Sequence, residues 1–468
     1  MAARRPPAAP WHLLFCLTEE CTGVPWWKWP NSFLTLQEGQ VFNHLPGVSE
    51  LCGREFLFRN VEAMRERVGE TFHIMPDTYM LGGGEEEAAA GGALDAEFRA
   101  HFKAHSPGSR AAKPEVWILK NLTAPASLRP PMFGEGKLLV RSDQPEKLPQ
   151  DGVWLAQRYV EDPYLINGRK FTIRLYVLIT SVDPLRVYIY DEGIVTFAVD
   201  RYGGTSRDLS NLYAHLTNEV VASQHDLRRP PSGGDAAGGG DRNSRGFGSE
   251  RRAAALEARR HKCVWTLKEL RAYLLKEAGA GRPPVGELWE EIEELAVRAV
   301  LSAEGKLVKY SEQLLKGRGR TFELLGMDVL LDRHLRPWLL KLTDVVPNLQ
   351  AETTLKYGMK ESMMKDVLRT TGVVPFARDK YKADFEARLE AMVAQGYPAS
   401  VADVAELQRT EDELRAGAGS KGRFHRVFPS LQAPDAHGNF WAANRPLNVM
   451  LHRWLEVGRL HGEEVVER

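Results

Sequence analysis

The chain is 468 residues long, 43 % hydrophobic and 26 % charged, which supplies enough length and apolar content for two or three packed lobes and excludes a disordered or collagen-like protein. Its 62 basic and 62 acidic residues cancel, so bulk charge directs it to neither nucleic acid nor a membrane, and charge-driven binding must come from local runs. Two runs qualify: Arg251, Arg252, Arg259, Arg260, His261, Lys262, and the tight Lys316-Gly-Arg318-Gly-Arg320.

No segment approaches the roughly 20 apolar residues of a membrane span, and Met1 to Pro10 is basic and Pro-rich without a following signal-type apolar core. The expected compartment is the cytoplasm, with no membrane and no nucleic acid as partner. Four cysteines (Cys16, Cys21, Cys52, Cys263) form no CxxC pair, which predicts reduced, structural thiols and no zinc site.

Taken in chain order, WHLLFCL from Trp11 predicts a short buried strand, followed by Trp26, Trp27 and Trp29 in a Pro-bounded loop. Phe56, Leu57, Val61, Met64 and Val68 recur at helical steps, predicting a core-facing helix over Glu55 to Val68. GGGEEEAAAGG, between Gly82 and Gly92, predicts a mobile loop. Strands are then predicted at Trp117 to Lys120, Lys137 to Val140, Val153 to Val160, Lys170 to Thr180 and Arg186 to Ala198. In the run from Lys170, Phe171, Ile173 and Leu175 alternate with Thr172, Arg174 and Tyr176, so one face meets a core and the other a cleft or solvent. Asp191-Glu192-Gly193 predicts a hairpin turn within the last run.

The Gly- and Pro-rich segment from Arg228 to Glu250 predicts a disordered insertion. Helices follow around Cys263 to Ala278 and Gly286 to Ala303, then a hairpin of Phe322 to Asp332 with Arg336 to Leu342. Beyond Tyr381 polar helices are expected, among them Ala383 to Gln395, stopped by Gly396, and Ala402 to Ala416.

Binding a nucleotide takes lysines for phosphate charge, a glycine loop over the phosphates, a hinge strand for the base and carboxylates for magnesium. The chain offers Lys120 at a strand end, Gly134-Glu135-Gly136-Lys137 as the loop, Gln157 and Tyr159 in a hinge-like run, and Lys170 with Arg174 on one strand face. Asp328 stands inside the apolar run LLGMDVLL, where an unpaired carboxylate is costly unless it meets a cation or strong donors.

These elements together resemble the tubulin tyrosine ligase-like family. The resemblance runs through Phe42-Asn43-His44-Leu45-Pro46-Gly47 with Glu55-Phe56-Leu57, Trp117-Ile118-Leu119-Lys120, Gln157-Arg158-Tyr159-Val160, and Leu165 to Arg174. It continues in Leu212 to Asn218, and in Phe322 to Leu330 with Pro337-Trp338-Leu339-Leu340. It covers about Phe42 to Gly372 and implies an α+β fold of ATP-grasp type, with mixed and antiparallel sheets in central and C-terminal lobes. The implied divisions are an N-terminal lobe (1–110), a central lobe (111–190), a C-terminal lobe (191–380) holding the insertion 228–250, and a helical extension (381–468). The implied reaction is ATP-dependent addition of an amino acid, most commonly glutamate, to tubulin tails through an acyl phosphate, with magnesium as cofactor. By the same resemblance Lys120 and Lys170 hold phosphates, with Gly134 and Gly136 in the phosphate loop. Gln157 and Val160 hold adenine, Arg174 the transferred phosphoryl or acyl oxygen, Thr217 and Asn218 the nucleotide, and Asp328 the metal. Tubulin is the implied partner of a monomer, and the cytoskeleton, cilium or basal body the implied location.

The departures from the family pattern fall on charge-bearing positions. Lys341-Leu342-Thr343 replaces the family's Glu-x-Asn, Thr172 and Thr196 stand where Asp and Arg are expected, and Asn121 follows Lys120 in place of Pro. A lysine repels a divalent cation; Asp344 is the one nearby carboxylate that a register shift would bring in. Two readings stay open: an active ligase whose basic run at Lys316 to Arg320 attracts acidic tails, and a tubulin-binding pseudo-ligase.

Overall fold

The computed structural model describes residues 13–15, 33, 36, 40–82, 88–104, 114–122, 136–149, 151–204, 209–217, 263–277, 285–315, 321–344, 354–372, 382–396, 400, 403–404, 407–408, 423–430, 437, 440–441 and 445–460. The first elements are β1 (Leu13–Leu14) and β2 (Val41–Phe42), which pair in parallel, then α1 (Ser49–Cys52) and α2 (Arg54–Val68). Next come β3 (Thr78–Leu81), α3 (Ala88–Ala104), β4 (Val116–Asn121), β5 (Lys137–Arg141) and β6 (Trp154–Arg158). They build a four-stranded antiparallel sheet of order β3-β6-β4-β5. Trp117, Leu119, Val140 and Ala156 on one of its faces pack against Phe98 and Phe102 of α3. Strand alternation therefore turns Ile118, Lys120 and Gln157 to the opposite face.

The larger sheet is centred on β7 (Phe171–Val182). On one side run β8 (Leu185–Tyr190) and β9 (Ile194–Phe197), followed in the chain by α4 (Leu212–His215), β10 (Val264–Thr266), α5 (Leu267–Glu277) and α6 (Val285–Leu314). On the other side lie β11 (Glu323–Leu331) and β12 (Pro337–Thr343); α7 (Thr354–Thr370), α8 (Lys382–Ala394), β13 (Phe424–Phe428) and α9 (Pro446–Leu460) complete the described elements. Ile173, Leu175, Val177, Leu325 and Met327 meet a stripe of α6 that includes Ile292, Leu295, Ala299, Val300 and Leu307, the i, i+3, i+4, i+7 spacing of a core-facing helix.

The opposite face of this sheet changes character along its length. Tyr176, Leu178, Phe322 and Leu324 are covered by Met363 and Val367 of α7, whereas Thr172, Arg174, Asp328 and Lys341, further along the same face, are partly exposed and polar. The core thus gives way to a cleft within one strand, between Tyr176 and Arg174.

The α+β class and the predicted strands hold, as does the β11–β12 hairpin. The helix expected from Cys263 starts at Leu267, because Val264 to Thr266 pair with β9 as β10, and Phe56, expected in the core-facing stripe of α2, is exposed while Phe58 is buried. Three further expectations are corrected. The segment Asp191-Glu192-Gly193 makes no hairpin: β8 and β9 both pair antiparallel with β7, so it is an irregularity interrupting one edge, and the hairpin turn lies at Asp183-Pro184. A Cβ on Gly193 would come within 2.5 Å of the Arg174 carbonyl oxygen, so the turn-like residues there serve a close backbone approach. Second, Ala88 to Gly92 belong to α3, since an alanine-rich stretch adjoining an amphipathic run extends its helix; 83–87 lie outside the described residues. Third, the C-terminal stretch is not helical only. β13 pairs with β8, Asn448 accepts the Leu185 amide at 2.8 Å, and Arg445 reaches buried Glu304 at 2.6 Å, tying it to the main sheet and to α6. The tryptophan cluster 26–29, the insertion 228–250, both basic runs and most of 402–416 lie outside the described residues.

Candidate nucleotide-binding site

Register alone lines up the first part of the site. Arg174 on β7 is the direct cross-strand partner of Asp328 on β11, and Asp328 is in turn the direct partner of Lys341 on β12, with an irregularity just after Asp328. The Arg174 guanidinium donates through Nε to Oδ1 and, at 3.0 Å, through an Nη to Oδ2, while Lys341 Nζ lies 3.2 Å from Oδ2. Burial pushes the Asp328 carboxyl up, but Arg174 and Lys341 outweigh it and hold the group below its ordinary value. Gly326 leaves room for this row, since a Cβ there would stand 3.1 Å from an Arg174 terminal nitrogen and 2.9 Å from Thr343 Oγ1.

A second group of cations faces the same cleft from the smaller sheet. Lys120 donates to Gln157 Oε1 at 2.7 Å, and the Gln157 amide donates to Thr78 Oγ1 at 3.1 Å. Gln157 is buried, so its side chain orients Lys120. Burial, then Arg54, Lys137 and Lys341, pull the Lys120 ammonium well below its ordinary value. Lys137, at the start of β5 and directly opposite Lys120 in the register, is lowered to about 8 by burial, then by Lys341 and Arg54.

Lys170 is the third member. It is buried, its Nζ donates to Tyr159 Oη at 2.8 Å and lies 4.1 Å from that ring centroid, and Tyr159 Oη is 2.9 Å from His215 Nδ1. Burial first, and Lys137 second, lower its ammonium to about 7. Among the described residues no carboxylate lies within ion-pair distance of Lys120, Lys137 or Lys170. Mutually repelling ammonium groups in a partly desolvated cleft form a site for a polyanion.

Of the sequence-predicted residues, Lys120, Gln157, Lys170, Arg174 and Asp328 come together. Val160 follows β6, partly exposed. Thr217 Oγ1 lies 2.8 Å from Thr172 Oγ1, a neutral pair at the strand position where the resemblance leads one to expect a carboxylate. Gly136 closes the β4–β5 hairpin with φ 81° and accepts the Asn121 amide at 2.8 Å; Gly134 and Asn218 lie outside the described residues. Sequence reasoning passed over Lys137 as a site residue and gave no role to His215 or Arg54. The signals were present: Lys137 ends the Gly-Glu-Gly-Lys segment, and His215 sits within the segment Leu212 to Asn218.

The cations fit the phosphates of ATP. The carboxylates do not fit magnesium. Asp328 is the one carboxylate in the row, both its oxygens are engaged by cations, and among the described residues no group of three or more His, Cys, Asp or Glu is placed to hold a metal. Asp344 does not substitute: its electrostatic neighbours are His44, Glu323 and Cys52. Each unit of charge brought to about 4 Å from Lys341 is opposed by about 4 kcal/mol at an effective dielectric of about 20.

A family model described as the tubulin-tyrosine ligase family matches residues 34–231 and 249–381. Among curated relatives, human tubulin monoglutamylase TTLL4 is 27% identical over 93% of this chain and 34% of its own length. Mouse tubulin polyglutamylase TTLL5 is 27% identical over 90% of this chain and 30% of its own. The Caenorhabditis elegans tubulin polyglutamylase ttll-4 is 27% identical over 90% and 64%. The chain spans about a third of the length of the mammalian relatives it matches.

Proposed function

Because the chain belongs to the tubulin-tyrosine ligase family, we propose that it is an ATP-dependent ligase that adds glutamate to the acidic tails of tubulin. The observation that carries this reading is the set of three lysines, Lys120, Lys137 and Lys170, turned into one cleft without carboxylate partners among the described residues. The names of the relatives, which are glutamylases acting on tubulin, support the choice of amino acid and acceptor.

In this reading the triphosphate lies across the cleft between the two sheets. Lys120, held by Gln157, and Lys170, held by Tyr159, neutralise phosphate oxygens from opposite sheets, and Lys137 adds a third charge. Phosphate binding restores their protonation, because an anion favours the charged form of each lysine. Transfer of the γ-phosphoryl to an acceptor carboxylate makes an acyl phosphate and ADP; attack by the amine of glutamate then forms the amide and releases phosphate. Arg174, anchored by Asp328 and partly exposed to the cleft, is the group we assign to the developing charge on the acyl oxygen. Val160, Thr217 and Asn218 are assigned to the nucleotide's base and sugar side. Location on the cytoskeleton follows from the acceptor; among the described residues no helix is long and apolar enough to cross a membrane.

The test is incubation of the full chain with tubulin, ATP and labelled glutamate, glycine or tyrosine in parallel. The expected result is ATP-dependent incorporation of glutamate above the other two, abolished in Lys170→Met. Preferential incorporation of glycine or tyrosine, or no incorporation by a chain that binds ATP, would contradict it.

A further inference from the structure

The row Arg174–Asp328–Lys341 carries an inference that rests on the nucleotide reading and goes beyond it. In this row the protein places its own cation on each flank of the carboxylate best situated to hold a metal. Three neighbouring strands fix the three residues at directly paired positions, so Lys341 is set beside Asp328 by sheet register. Among the described residues, the further charges that act on this row are cationic, from Lys120, Lys137 and Lys170, with Arg54 close enough to depress two of them.

We infer that Lys341 takes the place of a divalent ion, and that this chain binds its nucleoside triphosphate as the metal-free polyanion. The countercharge that a magnesium complex brings with it is already built into the cleft. A divalent ion entering with the nucleotide would have to displace either the two donors of Arg174 or the ammonium of Lys341 from Asp328. It would gain a carboxylate already shared with two cations, and it would approach Lys120, Lys137 and Lys170, which have no carboxylate partner among the described residues.

His425, bridging Asp191 at 2.7 Å and Glu293 at 3.0 Å, is consumed in holding β13 to its neighbours. The buried pair His44 and Glu323 closes on the Leu45 amide.

Equilibrium binding of ATP to the full chain, in excess magnesium and in excess EDTA, tests the inference. The expected result is a dissociation constant that changes by less than about threefold between the two conditions. In Lys341→Glu, which sets a second carboxylate beside Asp328, metal-free binding weakens and magnesium restores it, opening the ratio beyond about tenfold. A wild-type chain whose ATP binding tightens tenfold or more with magnesium overturns the inference and leaves the nucleotide reading standing. A ratio that stays near one in Lys341→Glu overturns the role of Lys341. A folded wild-type chain that binds ATP in neither condition overturns the nucleotide reading itself, and the inference with it.

Discussion

Arg174 and Asp328 face each other across β7 and β11 at directly paired positions, and the carboxylate receives both a guanidinium Nε and a terminal nitrogen from its partner. The pair is half sheltered, the arginine side chain 32% and the aspartate 15% exposed. It joins the electrostatics of the cleft to the two central strands of the larger sheet.

Replacing Asp328 by Asn removes the anion between two cations. The variant is expected to lose about 1–3 kcal/mol of stability in urea titration, because Arg174 and Lys341 then repel each other without a mediator. Its affinity for metal-free ATP is expected to rise, since a negative charge beside the phosphates has gone. Weaker binding of ATP in excess magnesium by a folded Asp328→Asn variant, with metal-free binding unchanged, would mean that the carboxylate contacts the ligand through a metal.

The ammonium of Lys170, lowered to about 7 by burial and by Lys137, makes ATP binding pH-dependent. A lysine with a depressed value is charged below it and neutral above it, so the charged form needed by a phosphate becomes scarcer as pH rises through 7. Apparent affinity is expected to fall by about tenfold between pH 7 and 8.5. Lys170→Arg, whose guanidinium stays charged over this range, is expected to shrink the fall to the part that Lys137, lowered to about 8, contributes; calorimetric titration across that interval checks both chains, and an unchanged profile in the variant would remove Lys170 as a source.

His425 predicts a stability profile of opposite origin. Burial alone would lower it, but the hydrogen bonds and charges of Asp191 and Glu293 raise it to about 9 from 6.5. A base raised in the folded state contributes fully below pH 6.5, and the contribution is lost as pH rises through 9. Allowing for the exposure of its partners, His425→Gln is expected to cost about 2 kcal/mol at pH 6 and little at pH 9.5. Denaturant midpoints of both chains at the two pH values decide it; an equal loss at both would assign His425 to packing alone.

Gly193 is expected to be intolerant. A Cβ there meets the carbonyl oxygen of Arg174 at 2.5 Å, and backbone cannot swing aside as a side-chain tip can. Gly193→Ala is expected to cost about 1–3 kcal/mol and to weaken ATP binding through displacement of Arg174. A thermal midpoint and an ATP titration on the same sample check it.

Much of this architecture is written in local pattern. The alternation along β7 fixes which residues point to the cleft, and the i, i+3, i+4 spacing fixes the buried stripe of α6 and, in α2, Leu57, Val61 and Met64, though Phe56 is exposed. Pairing is harder to read. Asp191-Glu192-Gly193 has turn chemistry, and only the partner strand β7 reveals that it interrupts an edge. β13, five residues long, has no recognisable signal until β8 is there to receive it. In the site, the lysines were legible as individual residues, and so was the charge conflict at Lys341. The Lys341–Asp328 contact was not, because it depends on the register of β11 against β12 and on the irregularity between them. The contacts of Gln157 with Lys120 and Thr78 were not legible for a similar reason: they join strands distant in sequence.

The central claim is that Lys120, Lys137 and Lys170 receive the phosphates of ATP, and competition binding tests it most directly. A fluorescent ATP analogue bound to the full chain should be displaced by ATP and by inorganic tripolyphosphate and hardly at all by adenosine, and Lys120→Met with Lys170→Met should lose binding while keeping the wild-type melting profile. Displacement by adenosine alone, or undiminished binding by the double variant, would contradict the account.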